Sequence, residues 1–360
     1  MERRAQWPLA VLVLAAVALA ALSACGQVVH SGLPLERAAV ADPTTTSAST
    51  TTTLPPPTTT SPPPPPSTAP NPRPAVTAAP RVATKPAAPH HPLPGGVAAY
   101  TGFGTWVDVF DWTNQWTNGH PTVGTADADR MANLGVQTMY IQAARIDGPN
   151  GVAEPDRLNA LIARAHAHGI RVVVWYLPTL TDVNADLSRL VAISQLNAEG
   201  IAVDIESREV SDPAERSRRL VDLSNRLRAA LPGRAIGAIV FPPTGMEVIN
   251  PSYWPGFPWA GIAPDYDVWL PMAYWTGRDP ASGWHDGYNY VLDNVRRTRN
   301  DLHDQSAPVH PIGGIADSAT VAEVAGMVRA VAATGSIGGS LYDYHTTTSD
   351  MWSAMLPLRR

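Results

Sequence analysis

The sharpest chemical signature in this sequence is a pair of acids one residue apart, in Val203-Asp-Ile-Glu206. Residues two apart on a β-strand share a face. If Val203 and Ile205 pack outward, Asp204 and Glu206 therefore point the same way. Two carboxyls held that close resist ionising together, which raises one pKa. A carboxyl still protonated near neutral pH can donate its proton to a departing sugar oxygen. Glu206, nearer the end of the strand, is the candidate acid, and Asp204 would orient and tune it. The plain alternative is a structural hydrogen bond at Asp204 beneath an exposed Glu206.

The aromatic content points to a substrate class. The chain has 11 Trp and only 4 Phe. Indole faces stack on the apolar faces of sugars while the N–H supplies a polar handle. Trp112, Trp116, Trp175, Trp254, Trp259, Trp275 and Trp284 fall at strand ends or in the loops after them, and Trp269 lies inside a strand as core. Other chemistries lack their motifs: there is no G-x-S-x-G elbow, no P-loop and no H-E-x-x-H. His166 and His168 sit two apart on a helix and diverge. His285 beside Asp286 is a loop pair that could contact substrate or simply be solvated.

The elements that must position these residues recur as helix, glycine, apolar strand. Ala126–Leu134 leads through Gly135 into Val136–Gln142, and Asp156–His168 through Gly169 into Ile170–Tyr176. A helix ending near Glu199 leads through Gly200 into Ile201–Glu206. Ala214–Leu231 leads through Gly233 into Ala235–Phe241, and Val321–Thr334 through Gly335 into Ile337–Asp343. Each glycine is expected to end its helix in a left-handed conformation. Asp212-Pro-Ala-Glu215 and Thr320-Val-Ala-Glu323 read as helix starts with capping boxes.

Gly104–Phe110, Asp267–Tyr274 and Val309–Ile315 bring the strands to eight. Eight βα units over 95–360 match a (β/α)8 TIM barrel. The competing doubly wound sheet would carry a glycine-rich phosphate loop after its first strand. Gly102-Phe-Gly104 precedes its strand and has no third glycine. Barrel active sites lie at the C-terminal strand ends. Those ends carry Asp108, Asp111, Tyr140, Gln142, Trp175, Tyr176, Asp204, Glu206, Tyr274, Trp275, Tyr342, Asp343 and Tyr344. The Pro/Gly/Trp-rich stretch 242–264 is expected to wall the site as a long loop.

Upstream, Met1-Glu-Arg-Arg, an apolar run from Trp7 to Ala24 and Leu22-Ser-Ala-Cys25 have the order of a secretory signal, here ending in the cysteine box of a bacterial lipoprotein. An uncleaved membrane anchor is the alternative reading. Residues 1–24 are thus expected to be removed and Cys25 lipidated. Cys25 is the only cysteine, so neither a disulfide framework nor a Cys-ligated zinc site can form. Residues 25–94, rich in Pro, Thr and Ser, read as a disordered tether. Extended at about 3.1 Å per residue, its Pro-rich part would reach on the order of 100 Å. Its Thr clusters suggest O-glycosylation on composition. The net charge of −5, without a basic block, argues against nucleic acid. The expected partners are a polysaccharide and, through the anchor, the membrane; a monomer without metal or organic cofactor is expected.

Val203-Asp-Ile-Glu206, Met272-Ala-Tyr274 and the aromatic eighth strand resemble glycoside hydrolase family 18, the chitinase-like barrels. That resemblance implies Glu206 as acid, Asp204 as its partner and Tyr274 assisting an acetamido group. Trp106-Val-Asp-Val-Phe-Asp-Trp112 is similar to family 25, the lysozyme-like barrels, which implies a role for Asp108. The sequence departs from family 18 where D-x-x-D-x-D-x-E has Glu199 and Ala202, and where M-x-Y-D has Trp275. The assignment is therefore to glycoside-hydrolase-like barrels as a class. A surface glycan-binding protein that has lost catalysis, or an envelope scaffold for protein partners, remains open on sequence alone.

Overall fold

The structure, a computed structural model, describes residues 96–148 and 151–360. The expected signal segment, Cys25 and the Pro/Thr-rich tether lie outside the described residues. Eight parallel strands close on themselves: β1 Gly102–Val107, β2 Thr138–Gln142, β3 Arg171–Tyr176, β4 Gly200–Ile205, β5 Ile236–Val240, β6 Val268–Tyr274, β7 Ile312–Gly314 and β8 Gly338–Tyr342. Each pairs with its sequence neighbours, and β8 returns to β1 with Gly102 opposite Gly338 and Thr105 opposite Leu341. The doubly wound alternative is thereby excluded.

Besides short helical turns at Val109–Trp112 and Gly245–Ile249, a helix follows each strand: α1 Thr125–Asn133, α2 Pro155–Ala167, α3 Val183–Ile193, α4 Pro213–Ala230, α5 Trp259–Ile262, α6 Gly287–Asp301, α7 Val321–Thr334 and α8 Ser349–Met355. The fifth is a single turn because 242–264 is rich in proline, which cannot donate to a helix interior. Gly135, Gly169 and Gly335 take φ of +85°, +70° and +61° as expected of helix terminators. Gly200 instead opens β4, and Gly233 does not take a left-handed φ. The helix before β4 stops at Ile193, and Glu199 accepts a hydrogen bond from the Val172 amide at 2.7 Å. Thr320 and Glu323 form the expected reciprocal cap. Asp212 caps α4, but Glu215 turns to Arg218 and Arg219 instead of closing a box.

Alternation along the strands sorts interior from exterior. On β4 the inward column runs Gly200, Ala202, Asp204. A Cβ at Gly200 would lie 2.8 Å from the Tyr100 hydroxyl, and one at Gly237 would meet Tyr100 and the Ala202 methyl. Tyr100, from the turn before β1, thus plugs the bottom of the barrel. Its hydroxyl donates to the Ile201 carbonyl at 2.6 Å and accepts from the Ile201 amide at 3.1 Å. Above it, Trp106 stacks on Tyr140 with centroids 4.4 Å apart and planes 12° apart.

A polar chain threads this layer. Trp106 Nε1 donates to Ser340 Oγ at 2.8 Å, and His310 reaches Ser340 at 3.0 Å and the Tyr100 carbonyl at 2.7 Å. A carbonyl can only accept, so Nδ1 of His310 carries the proton. Burial pushes the imidazole pKa down to about 4, which keeps it neutral. The barrel interior is therefore solid up to the level of Trp106.

Candidate active site at the barrel mouth

Above that floor a cavity of about 220 Å³ opens at the C-terminal strand ends. Asp204 and Glu206 both line it, with Trp106, Asp108, Gln142, Trp175, Tyr274 and Tyr342. Asp204 is the last inward residue of β4, and Glu206 follows one step past the strand. The Tyr253 hydroxyl, from the loop after β5, donates to the Glu206 carbonyl at 3.0 Å and fixes the backbone there.

The electrostatics follow from this seating. Burial pushes the Glu206 carboxyl up to about 7. Burial, and then the neighbouring Glu206, hold Asp204 well above the usual carboxylate range. Asp204 Oδ1 has no hydrogen-bond partner among the described residues. Tyr274 is held protonated by burial and by the charges of Glu206 and Asp204. Such a site can hold a proton on carbon-linked carboxyls at neutral pH and deliver it to a bound group. A second orphan faces the same space: Trp175, 5% exposed, has Nε1 unpartnered among the described residues.

Asp108 sits at the mouth by a different local route from the one expected. β1 ends at Val107, and Val109–Trp112 is a helical turn that Asp108 caps through the Phe110 amide at 2.7 Å. Its other oxygen accepts from the Tyr342 hydroxyl at 3.0 Å. Burial raises its pKa against the pull of that hydrogen bond. The turn also draws Asp111 inward, where burial, then Asp108 and Asp343, raise it to about 8. Asp108, Asp111 and Asp343 each offer an oxygen within 4.8 Å of the others, the one such acidic group among the described residues. Oxygen donors of this kind suit a hard cation, but Tyr342 and Thr346 already donate to Asp108 and Asp343.

Several aromatic residues expected at the mouth lie elsewhere. Tyr176 and Trp275 each follow an inward residue, so alternation sends them outward. Tyr176 donates to Asp186 Oδ1 at 2.6 Å, and Trp275 is buried behind β7, against Gly313. Trp112 is fully buried and donates to the Gln142 carbonyl at 3.0 Å. Asp343 holds the turn after β8 through the Thr346 amide and hydroxyl, and does not line the cavity. Trp254 packs on Arg216, Trp259 on Trp269 and Trp284 on Tyr290. The tryptophan excess thus serves mainly the packing of loops on the barrel. His285 hydrogen-bonds the Arg278 carbonyl and Asp286 caps α6.

The mouth also contains residues outside the expected site set. Phe110 comes from the helical turn Val109–Trp112, Arg145 and Arg278 come from loops, and Met272, part of the Met272-Ala-Tyr274 motif, and Ile312 are inward strand residues. Phe241 and Pro242 add a wall from the loop after β5, but of the stretch 242–264 expected to wall the site only Pro242 lines the cavity.

Against solved structures, the chain is similar to the Bacillus cereus spore cortex-lytic enzyme SleL (TM-score 0.53, 10% identity, covering 72% of this chain and 74% of that one). It is also similar to a class V chitinase from Pseudomonas fluorescens Pf-5 (0.52, 9%, 71% and 99%). The chain has a glycoside-hydrolase-like (β/α)8 fold. A chitinase-like agglutinin from Robinia pseudoacacia shares it as well (0.50, 10%, 71% and 98%). At such identities the likeness extends to the fold alone. No family model and no curated protein matches the sequence.

Proposed function

We propose that this barrel is a glycoside hydrolase acting on an envelope or extracellular polysaccharide. Glu206 is the proton donor, Asp204 its orienting partner, and Asp108 a supporting carboxylate. Tyr274, Trp175, Gln142 and Tyr342 contact the sugar. The observation that carries this reading is one cavity holding two adjacent carboxyls, one with a pKa of about 7, above an indole floor. A group half protonated at neutral pH is matched to general acid catalysis. Replacing Glu206 with Gln is expected to lower hydrolysis of cell-wall glycan by more than about a hundredfold while binding persists.

The second reading is a glycan-binding barrel without catalysis. It is favoured by Glu199, Ala202 and Trp275 at places where the chitinase-like motif has aspartates, and by an agglutinin of the same fold. Binding without hydrolysis in both the unsubstituted protein and E206Q would decide for it.

We further propose that Cys25 carries a lipid and that residues 25–94 hold the barrel away from the membrane as a tether. The support is the order of charged start, apolar run and cysteine box. C25A is expected to move the protein from the membrane fraction to the soluble one; unchanged fractionation would refute the anchor.

A further inference from the structure

Two arginines line the mouth, and they differ in one respect. Arg145 is neutralised by Asp147 through two hydrogen bonds, at 2.8 and 3.1 Å, and lies against Phe110 and Trp116. Arg278, from the loop after β6, is only 5% exposed and forms no ion pair among the described residues. Its Nε donates to the Tyr274 carbonyl at 3.1 Å, and its Nη1 is buried with no partner among the described residues. The guanidinium lies 5.2 Å from the centre of the Tyr290 ring. A ring face compensates a cation only partly.

Burying a guanidinium without an anion is costly. Elsewhere the fold avoids that cost: Arg228 meets Asp267 at 2.7 Å, and Arg297 meets Asp293 at 2.6 Å. Arg216 is also deeply buried without a carboxylate, but it stacks on Trp254 at 4.2 Å and does not line the cavity. Arg278 alone among these combines an unmatched charge with access to the cavity that holds Glu206. The loop is built to keep it there. The His285 ring hydrogen-bonds the Arg278 carbonyl at 2.8 Å, and its other nitrogen faces Glu323 at 3.5 Å.

We infer that Arg278 is the counter-ion for a carboxylate borne by the sugar bound in the mouth, so that the site takes an acidic glycan in preference to a neutral one. A guanidinium presents paired N–H donors that match a carboxylate's two oxygens. In a glycan that carboxylate comes from one of two sources, the lactyl ether of a muramic acid free of its peptide or the C6 carboxyl of a uronic acid. The inference rests on the hydrolase reading only for the identity of the cavity, since an unmatched cation beside a glycan site would select acidic ligands without turnover as well.

The test uses the full chain carrying E206Q, so that turnover does not consume ligand, and titration calorimetry. The probes are peptide-free peptidoglycan strands, oligosaccharides alternating N-acetylglucosamine with glucuronate, and both again after reduction of the carboxyl to an alcohol. One acidic probe is expected to bind at least about tenfold more tightly than its reduced form, and the probe that does so identifies the source. Adding R278Q should bring the ratio of acidic to reduced affinity close to one. Equal affinities for acidic and reduced forms, no binding of either acidic glycan, or a ratio unchanged by R278Q would each overturn the inference. If R278Q does not fold, the acidic-to-reduced comparison with Arg278 intact still decides whether the mouth selects a carboxylate. R278K, which keeps the charge but loses the fork, should then lower the ratio. With the unsubstituted protein, hydrolysis of both acidic and reduced glycans without preference would leave the hydrolase standing and remove Arg278's role. Acidic preference without hydrolysis would do the reverse.

Discussion

The Tyr342 hydroxyl donates to Asp108 at 3.0 Å and so ties the last strand of the barrel to the first at the level of the site. Asp108 takes its second bond from the Phe110 amide, which makes this one carboxylate both a helix cap and the latch of the barrel seam. Replacing Tyr342 with Phe keeps the ring, which lies 6.5 Å from Trp106 and 5.9 Å from Tyr274, and removes only the latch. A typical intramolecular hydrogen bond contributes about 1 kcal/mol net. Y342F is expected to lose about that much in urea unfolding. Unfolding within about 0.5 kcal/mol of the unsubstituted protein would mean that the latch does not form in solution.

Glu206 gives the site a pH signature with a definite sign. Its carboxyl rises from 4.5 to about 7 on folding. Between those values the native state binds more protons than the unfolded chain, so stability falls as pH rises through that window. The full effect is on the order of 3 kcal/mol. E206Q, which cannot ionise, should therefore be more stable than the unsubstituted protein at pH 8 and lose that advantage by pH 5. Hydrolysis should follow the same proton and fall about tenfold per pH unit above 7. Parallel stability curves for the two proteins across pH 5 to 8 would contradict the raised pKa.

What could be read from the sequence divides along physical lines. Strand alternation and the βα rhythm are periodic, so the barrel and the common face of Asp204 and Glu206 were legible from apolar spacing alone. Local backbone turns were not. Nothing in Trp106–Trp112 indicates that the strand stops at Val107 and that Asp108 becomes a helix cap. Pairs such as Trp175 with Tyr176 and Tyr274 with Trp275 looked equivalent as strand ends. Only the phase of the alternation, fixed by the fold, sends one member of each inward. Arg278 lies in an aperiodic loop, where position depends on tertiary contacts that leave no mark on spacing. The Tyr100 plug was invisible for a related reason: it fills a space that exists only once Gly200 and Gly237, on the neighbouring strands β4 and β5, turn their bare backbones toward the closed barrel's interior.

Trp175 permits a test of the site that separates binding from folding. Its ring lines the cavity, while Nε1 is buried and unpartnered among the described residues. An orphaned donor costs stability in the empty protein and is recovered when a ligand oxygen accepts from it. Replacement by Phe removes the donor and keeps an aromatic surface. W175F should therefore unfold at the same urea concentration as the unsubstituted protein or slightly above it. It should also bind cell-wall glycan about fivefold more weakly, the equivalent of one net hydrogen bond of about 1 kcal/mol. W175A removes the stacking face as well and should weaken binding further, with a loss of stability from the cavity it leaves. If W175F instead destabilised the protein by more than about 1 kcal/mol with glycan affinity unchanged, the indole N–H would be a structural donor rather than one reserved for the sugar.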